Sequence, residues 1–258
     1  MTLHRTTLAL CAIVPVFDHE HAVGAVIREI IAAGLPCIVV DDGSGEACAR
    51  VLDELVACLP GVTLQRRALN GGKGAAVSVG LRAAMEAGYT HALQIDADGQ
   101  HETADIPKFI SAAARHPDSI ICGRPRFDAT IPRSRYYLRY LTHIFVWINT
   151  LSLTIHDSMC GFRIYPVEPM IVLLDSERIG SRMDFDIEVL VRLHWRGVPM
   201  RWIWTRVRYP TDGISHFRLL LDNALITRLH TRLFFGMLWR LPTILARRLA
   251  AASRATHA

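Results

Sequence analysis

The chain has 258 residues, 51% hydrophobic and 21% charged, enough to bury the core of one α/β domain and too apolar for an intrinsically disordered protein. Its formal charge of +5 is uneven: residues 1–200 carry 19 Lys and Arg against 22 Asp and Glu, residues 201–258 carry 10 against 2. The six cysteines include no C-x-x-C pair, so buried, reduced thiols are expected and a zinc site has little support. In chain order, the apolar patterning predicts a strand at 8–14, a helix at 21–33, a strand at 37–40, a helix at 46–58 and a strand at 62–66. A helix at 72–87, a strand at 91–95, a helix at 106–115 and a strand at 119–122 follow. Such alternation at short spacing predicts a mainly parallel sheet flanked by helices. After Gly123 the pattern changes to a long helix at 134–151, a Gly-Phe-Arg segment, a helix at 185–195, a strand at 200–207 and a basic tail. The expected division is a globular domain at 1–217 and a basic amphipathic helical tail at 218–258. Residues 1–7 have the charge of a leader's basic end, but the apolar run behind them is short and continues as the first strand, so no secretory signal is expected.

Several predicted strands end in carboxylates. The run Leu93-Gln94-Ile95 leads into Asp96-Ala97-Asp98-Gly99-Gln100-His101, and Ile38-Val39-Val40 into Asp41-Asp42-Gly43-Ser44. Residues i and i+2 of a strand project to the same side, so Asp96 and Asp98 can reach one ligand. Magnesium and manganese are commonly held by one or two carboxylates together with substrate phosphates. The same residues also suit an Asp-Gly turn closing a strand. Recurrence at the carboxyl ends of successive strands, where open α/β sheets bind ligands, favours a site. Asn70-Gly71-Gly72-Lys73-Gly74 opens a predicted helix, where free N–H groups and the Lys73 charge suit an anion. It lacks the G-x-x-x-x-G-K-[ST] spacing of a P-loop, and no strand carries a G-x-G-x-x-G dinucleotide signature.

In this order, Asp41-Asp42-Gly43-Ser44, Asn70 to Gly74, Asp96 to His101 and Gly161-Phe162-Arg163 resemble the family 2 glycosyltransferases. Within them the chain is most similar to dolichol-phosphate mannose synthases and related polyprenyl-phosphate sugar transferases, over roughly residues 10–215. The resemblance implies a GT-A fold, a nucleotide-diphospho-sugar donor, a Mg2+ or Mn2+ ion and inversion at the anomeric carbon. It places Pro15, Phe17 and Asp42 beside the nucleotide base, Asp96 at the sugar or ribose, and Asp98 with Gln100 at the metal. Arg124 and Arg163 would neutralise the diphosphate or an acceptor phosphate, a task suited to guanidinium forks. The stretch from Met183 to Leu238 is more narrowly similar to glycosyltransferases of aryl-polyene and xanthomonadin-type pigment pathways.

The chain also departs from the pattern. His19 stands where such synthases usually carry an acidic residue, with Glu20 adjacent, and Gly213-Ile214-Ser215-His216-Phe217 replaces Gly-x-Ser-Lys. The segment Met183-Asp184-Phe185-Asp186-Ile187-Glu188 is unusually acidic. A polyprenyl phosphate attacks without losing a proton, whereas a hydroxyl acceptor needs a general base. Asp186 is the preferred candidate among Asp184, Asp186 and Glu188, and is equally suited to a first-turn helix acid. The tail, with Phe234, Phe235, Trp239 and several arginines, and residues 136–155 suit an anionic membrane interface. The uncharged run at 140–155 is too short to span a bilayer comfortably. No nucleic-acid-binding module accompanies the charge. The expected protein is a glycosyltransferase, peripheral on the inner face of the cytoplasmic membrane, moving sugar to a lipid-linked acceptor. The alternatives are a nucleotidyltransferase that makes the sugar nucleotide and a non-catalytic nucleotide- or lipid-binding protein on the same scaffold.

Overall fold

The computed structural model describes residues 8–127, 133–208 and 219–255. The Gly213 to Phe217 motif and the expected domain boundary lie outside the described residues. Seven strands form one sheet: β1 (Leu10–Val16), β2 (Cys37–Asp41), β3 (Val62–Arg66), β4 (His91–Gln94), β5 (Ile120–Phe127), β6 (Arg163–Pro166) and β7 (Met200–Val207), ordered β3-β2-β1-β4-β6-β5-β7. β1 to β4 pair in parallel, as do β5 and β7, while β6 runs antiparallel to both β4 and β5. The helices are α1 (Val23–Ala32), α2 (Glu46–Cys58), α3 (Lys73–Glu86), α4 (Ile106–Arg115), α5 (Arg133–Thr150), α6 (Val167–Ser176), α7 (Phe185–Arg196) and α8 (Leu219–Ala255).

Most elements fall within two residues of their sequence-derived positions. Three findings differ. β5 continues five residues beyond Cys122, because Ile120 to Phe127 pair rung by rung with Met200 to Val207. β6 and α6 were not anticipated, since Arg163-Ile164-Tyr165-Pro166 is only four residues long and runs into α6 without a turn signal.

The sheet separates two apolar layers. On one face the buried residues of α1, α2 and α4 pack against Val14, Val39 and Ile164. On the other, α3, α6 and α7 cover Ile13, Val40 and Cys122, with α5 and α8 outside them. α7 lies in the middle of this layer and is buried nearly all round, including its charged positions Asp186, Glu188 and Arg192. α8 has 37 residues, about 55 Å at 1.5 Å per residue. Ile226, Leu229, Leu233, Met237 and Ile244 of this helix join the core. Five of the six cysteines are buried and all are unpaired.

Candidate active site

The parallel strands bring their carboxyl ends to one edge. Gln94 pairs with Arg163, which pairs with Cys122, and Ile13 pairs with Gln94. Two residues further along, Pro15, Asp96 and Arg124 follow at this edge, with Phe17 just past β1 and Asp98 in the turn after β4. The β1 and β2 ends are tied together: Asp42 N–H donates to the Val16 carbonyl at 2.8 Å and Gly45 N–H to Asp18 Oδ1 at 2.7 Å.

At the centre, Lys73 Nζ lies 2.6 Å from Asp96 Oδ1 and 2.7 Å from Asp186 Oδ2. Gln94 Nε2 donates to Asp186 Oδ1 at 2.9 Å, and His101 Nε2 lies 3.4 Å from Asp96 Oδ2. Asp96 is the open member, its side chain 24% exposed against 6% for Asp186. Burial pushes the Asp96 carboxyl up, but Lys73 and His101 outweigh it and hold it far below the ordinary carboxylate range. Burial likewise pulls the Lys73 ammonium down, and Asp186 and Asp96 reverse this to hold it above the usual lysine range. Gly161 leaves room for this pair. A Cβ at this position would fall inside contact distance of the Asp96 carboxylate and the Lys73 ammonium.

The expectation for Lys73 is thus corrected: its charge is neutralised by two carboxylates rather than left for a phosphate. The anion cradle before α3 is also occupied, because Gly71 N–H and Gly72 N–H donate to Asp42 at 3.1 and 2.7 Å and Ala75 N–H to the Ser181 carbonyl at 3.1 Å. Asp42 is buried and also pairs with Arg67, so a base reaching its carboxylate would displace Arg67.

Arg163 is a second correction. It is fully buried, donating to the Tyr165 hydroxyl at 3.0 Å, the Asp186 carbonyl at 2.8 Å and the Ser158 carbonyl at 2.8 Å. No phosphate reaches it; it holds the start of α7 and with it Asp186. Arg124 lies on the ligand edge but two strands from Asp96, about 10 Å at the usual strand spacing. Its guanidinium stacks 4.1 Å from the centre of the Trp204 ring, which also carries Arg126 at 4.8 Å.

The acidic start of α7 resolves into three separate environments. Asp186 alone faces Lys73 and Asp96. Asp184 accepts from Arg182 N–H at 3.1 Å, and fully buried Glu188 accepts from Gly180 N–H, Arg192 and Arg232. Asp98 is half-buried, and its Oδ1 accepts from Gln100 N–H at 3.0 Å. The Gln100 carbonyl in turn accepts from Arg208 N–H at 3.0 Å, and Glu102 N–H donates to the Arg206 carbonyl, clamping this loop to the end of β7. Among the described residues no group of three His, Cys, Asp or Glu is gathered to hold an ion by itself.

Sequence reasoning gave no role to Gln94, His101 or Asp157. The last is a lone carboxylate shortly after a long uncharged run, a signal that it must find a cation. Asp157 holds Arg139 and His143 of α5.

An open, mostly parallel sheet flanked by helices, with an Asp-x-Asp turn at the end of β4, has the architecture of a GT-A fold. Residues 11–172 match Glycosyl transferase family 2, and the chain belongs to that family. It is 26% identical to the polyprenol monophosphomannose synthase of Mycolicibacterium smegmatis over 201 residues, covering 75% of this chain and 74% of that protein. It is 27% identical to the undecaprenyl-phosphate mannosyltransferase of Micrococcus luteus over 154 residues, 57% of this chain and 63% of that one. The fold superimposes on glucosyl-3-phosphoglycerate synthase from Mycobacterium tuberculosis, solved with Mn2+ and UDP-glucose, with a TM-score of 0.66 and 14% identity over 90% of this chain and 80% of that one.

Proposed function

We propose that this glycosyltransferase moves a sugar from a nucleotide-diphospho-sugar to a lipid-linked acceptor, a polyprenyl phosphate or an aryl-polyene lipid, at the inner face of the cytoplasmic membrane. The observation that carries this reading is the Asp96–Lys73–Asp186 cluster beside the Asp98 turn. Asp96, ionised and the more exposed of the two carboxylates, accepts hydrogen bonds from donor hydroxyls through Oδ2, where its contact with His101 is the longer one at 3.4 Å. Pro15 and Phe17 border the base, with Asp42 behind them.

Asp98 and Gln100 supply hard oxygen donors, and the Gln100 N–H on Asp98 presets the turn, which fits a Mg2+ or Mn2+ ion completed by phosphate oxygens. Asp98 and Gln100 would hold such an ion, and it would supply positive charge to offset the negative charge developing on the leaving diphosphate. Arg124, at the same edge, carries an exposed-side cation toward an acceptor phosphate, with Trp204 fixing its direction.

Both Asp186 oxygens are engaged, by Gln94 and Lys73. Proton abstraction by Asp186 would require one partner to leave, whereas a phosphate nucleophile requires no base. Asp186 therefore serves to orient Lys73, which favours a lipid phosphate over a hydroxyl acceptor. The named relatives that act on polyprenol and undecaprenyl phosphate support this choice.

No helix among the described residues is long and apolar enough to cross a membrane. α5 and α8 instead expose Tyr140, Leu141, Phe145, Phe235 and Trp239, a surface for an interfacial lipid contact. Titrating the protein in detergent with UDP-, GDP- and dTDP-sugars, with and without Mn2+, tests the reading. Metal-dependent binding of one nucleotide class is expected. Failure to bind any of them would shift the conclusion to the non-catalytic alternative, and release of diphosphate from a nucleoside triphosphate and sugar phosphate to the nucleotidyltransferase.

A further inference from the structure

Asp157 touches none of the groups in the cluster, yet it joins them to the surface helix α5. Its Oδ1 accepts from Met159 N–H at 2.9 Å and Cys160 N–H at 2.8 Å. Arg139 of α5 grips both carboxylate oxygens at 2.6 Å, and His143 Nε2 lies 3.3 Å from Oδ2. Burial pushes this carboxyl up, and Arg139 and His143 overcome it to hold it well below the usual range.

From here the chain of contacts is short. The Ser158 carbonyl accepts from Arg163, Arg163 holds the Asp186 carbonyl, and Gly161 lies against Asp96 and Lys73. Arg139 and His143 are one helical turn apart and face inward, while Tyr140, Leu141, Ile144 and Phe145 of the same turns are exposed. The same segment of α5 therefore meets the proposed lipid surface on one side and the Asp157 carboxylate on the other.

We propose that Asp157 is a positioning residue: it fixes residues 157–163 to α5 and lets the seating of α5 on a lipid surface set the Lys73–Asp96–Asp186 geometry. The lipid part rests on the membrane reading above; the positioning part stands on the contacts alone. Of the proposed donor contacts, those of Asp98, Gln100, Pro15 and Phe17 do not pass through this link and only that of Asp96 does, so turnover and binding respond unequally.

The test uses the full chain and Asp157→Asn, which keeps an oxygen for the Met159 and Cys160 amides but removes the charge facing Arg139 and His143. Small displacements of reacting groups cost up to about a hundredfold in rate, so kcat for transfer to a lipid phosphate is expected to fall by about tenfold or more. The nucleotide-sugar Kd is expected to rise by no more than about threefold, well short of the fall in kcat, since Asp96 is the one proposed donor contact that the link reaches. Hydrogen exchange at 157–164 supplies a readout that needs no turnover. Vesicles of phosphatidylglycerol and phosphatidylethanolamine are expected to slow this exchange in the parent and not in Asp157→Asn. Arg139→Lys, which keeps the charge facing Asp157 but not the two-pronged grip, is expected to show part of both losses and serves if Asp157→Asn fails to fold.

Parent-like kcat in a folded Asp157→Asn, or loss of donor binding in proportion to kcat, overturns the positioning role. Vesicle binding by the parent with unchanged exchange at 157–164 overturns the coupling to lipid. If the parent neither binds vesicles nor transfers sugar, the functional reading fails instead. Exchange in the lipid-free proteins then decides the positioning role, faster exchange at 157–164 in Asp157→Asn supporting it and equal exchange refuting it.

Discussion

Lys73 shows how much a single charge depends on what surrounds it. Removing the ammonium in Lys73→Met leaves Asp96 and Asp186 facing each other, with Arg163, 3.6 Å from Asp186 Oδ1, as the remaining guanidinium on the Asp186 side. Breaking a buried pair from one side costs about 3–5 kcal/mol, and the opening of Asp96 to solvent puts the expected loss near 3 kcal/mol. Chemical denaturation measures it; a change under about 0.5 kcal/mol, typical of surface sites, would contradict the buried pairing. Gly161→Ala places a methyl group where the Asp96–Lys73 pair sits, so transfer is expected to be lost while the fold persists, as circular dichroism and a turnover assay would show. Asp96, Asp98 and Asp186 were legible as candidates because acidic residues at strand ends and helix starts are local patterns. The neutralisation of Lys73, the burial of Arg163 and the role of Asp157 were not, because each depends on a partner brought in by a distant element.

Helix α8 carries the excess of positive charge, and its arginines do not all point outward. Arg232 pairs with Glu188, Arg240 lies 3.8 Å from Glu177, and Arg247 donates to the Trp195 carbonyl. From sequence the tail reads as basic and lipid-facing; in the fold part of that charge clamps α8 to α7. Glu188→Gln removes the anion shared by Arg192 and Arg232; Arg192 keeps Glu177 and Arg232 is half exposed, so a loss of about 1–3 kcal/mol is expected, read as a lowered denaturation midpoint. Trp239, 86% exposed, behaves oppositely. Trp239→Ser is expected to leave stability within about 0.5 kcal/mol and to weaken vesicle binding by about tenfold or more, since burying such a side chain is worth at least ~1.5 kcal/mol. Unchanged flotation with vesicles would remove this residue from the contact. The helices and the parallel strands were legible from periodicity and turn residues. β6 and α6 were not, since a four-residue strand buried on both faces carries no alternation.

For the whole molecule, pH exposes how the layers are joined. His230 sits between α5 and α8, 3.2 Å from Asn149 Nδ2, and burial pushes its pKa down to about 4. The unfolded chain therefore takes up a proton near pH 6.5 that the folded protein refuses until about pH 4. Its contribution is complete above pH 6.5 and is lost as pH falls toward 4, amounting to about 3 kcal/mol across the window. His91, also lowered by burial, acts in the same direction. His230→Gln is expected to flatten the acid limb of the stability curve, and an identical limb in the variant would assign the titration elsewhere.

Catalysis at the end of β4 is the claim on which the rest depends. It is tested most directly by following labelled sugar from its nucleotide into the organic phase, with polyprenyl phosphate in vesicles and Mn2+ supplied, for the parent and for Asp98→Ala. Label should enter the lipid fraction with the parent and fall by at least about a hundredfold with Asp98→Ala, the scale of losing a group that stabilises transition-state charge. Equal transfer by the two proteins would show that the Asp98 turn is not the catalytic centre.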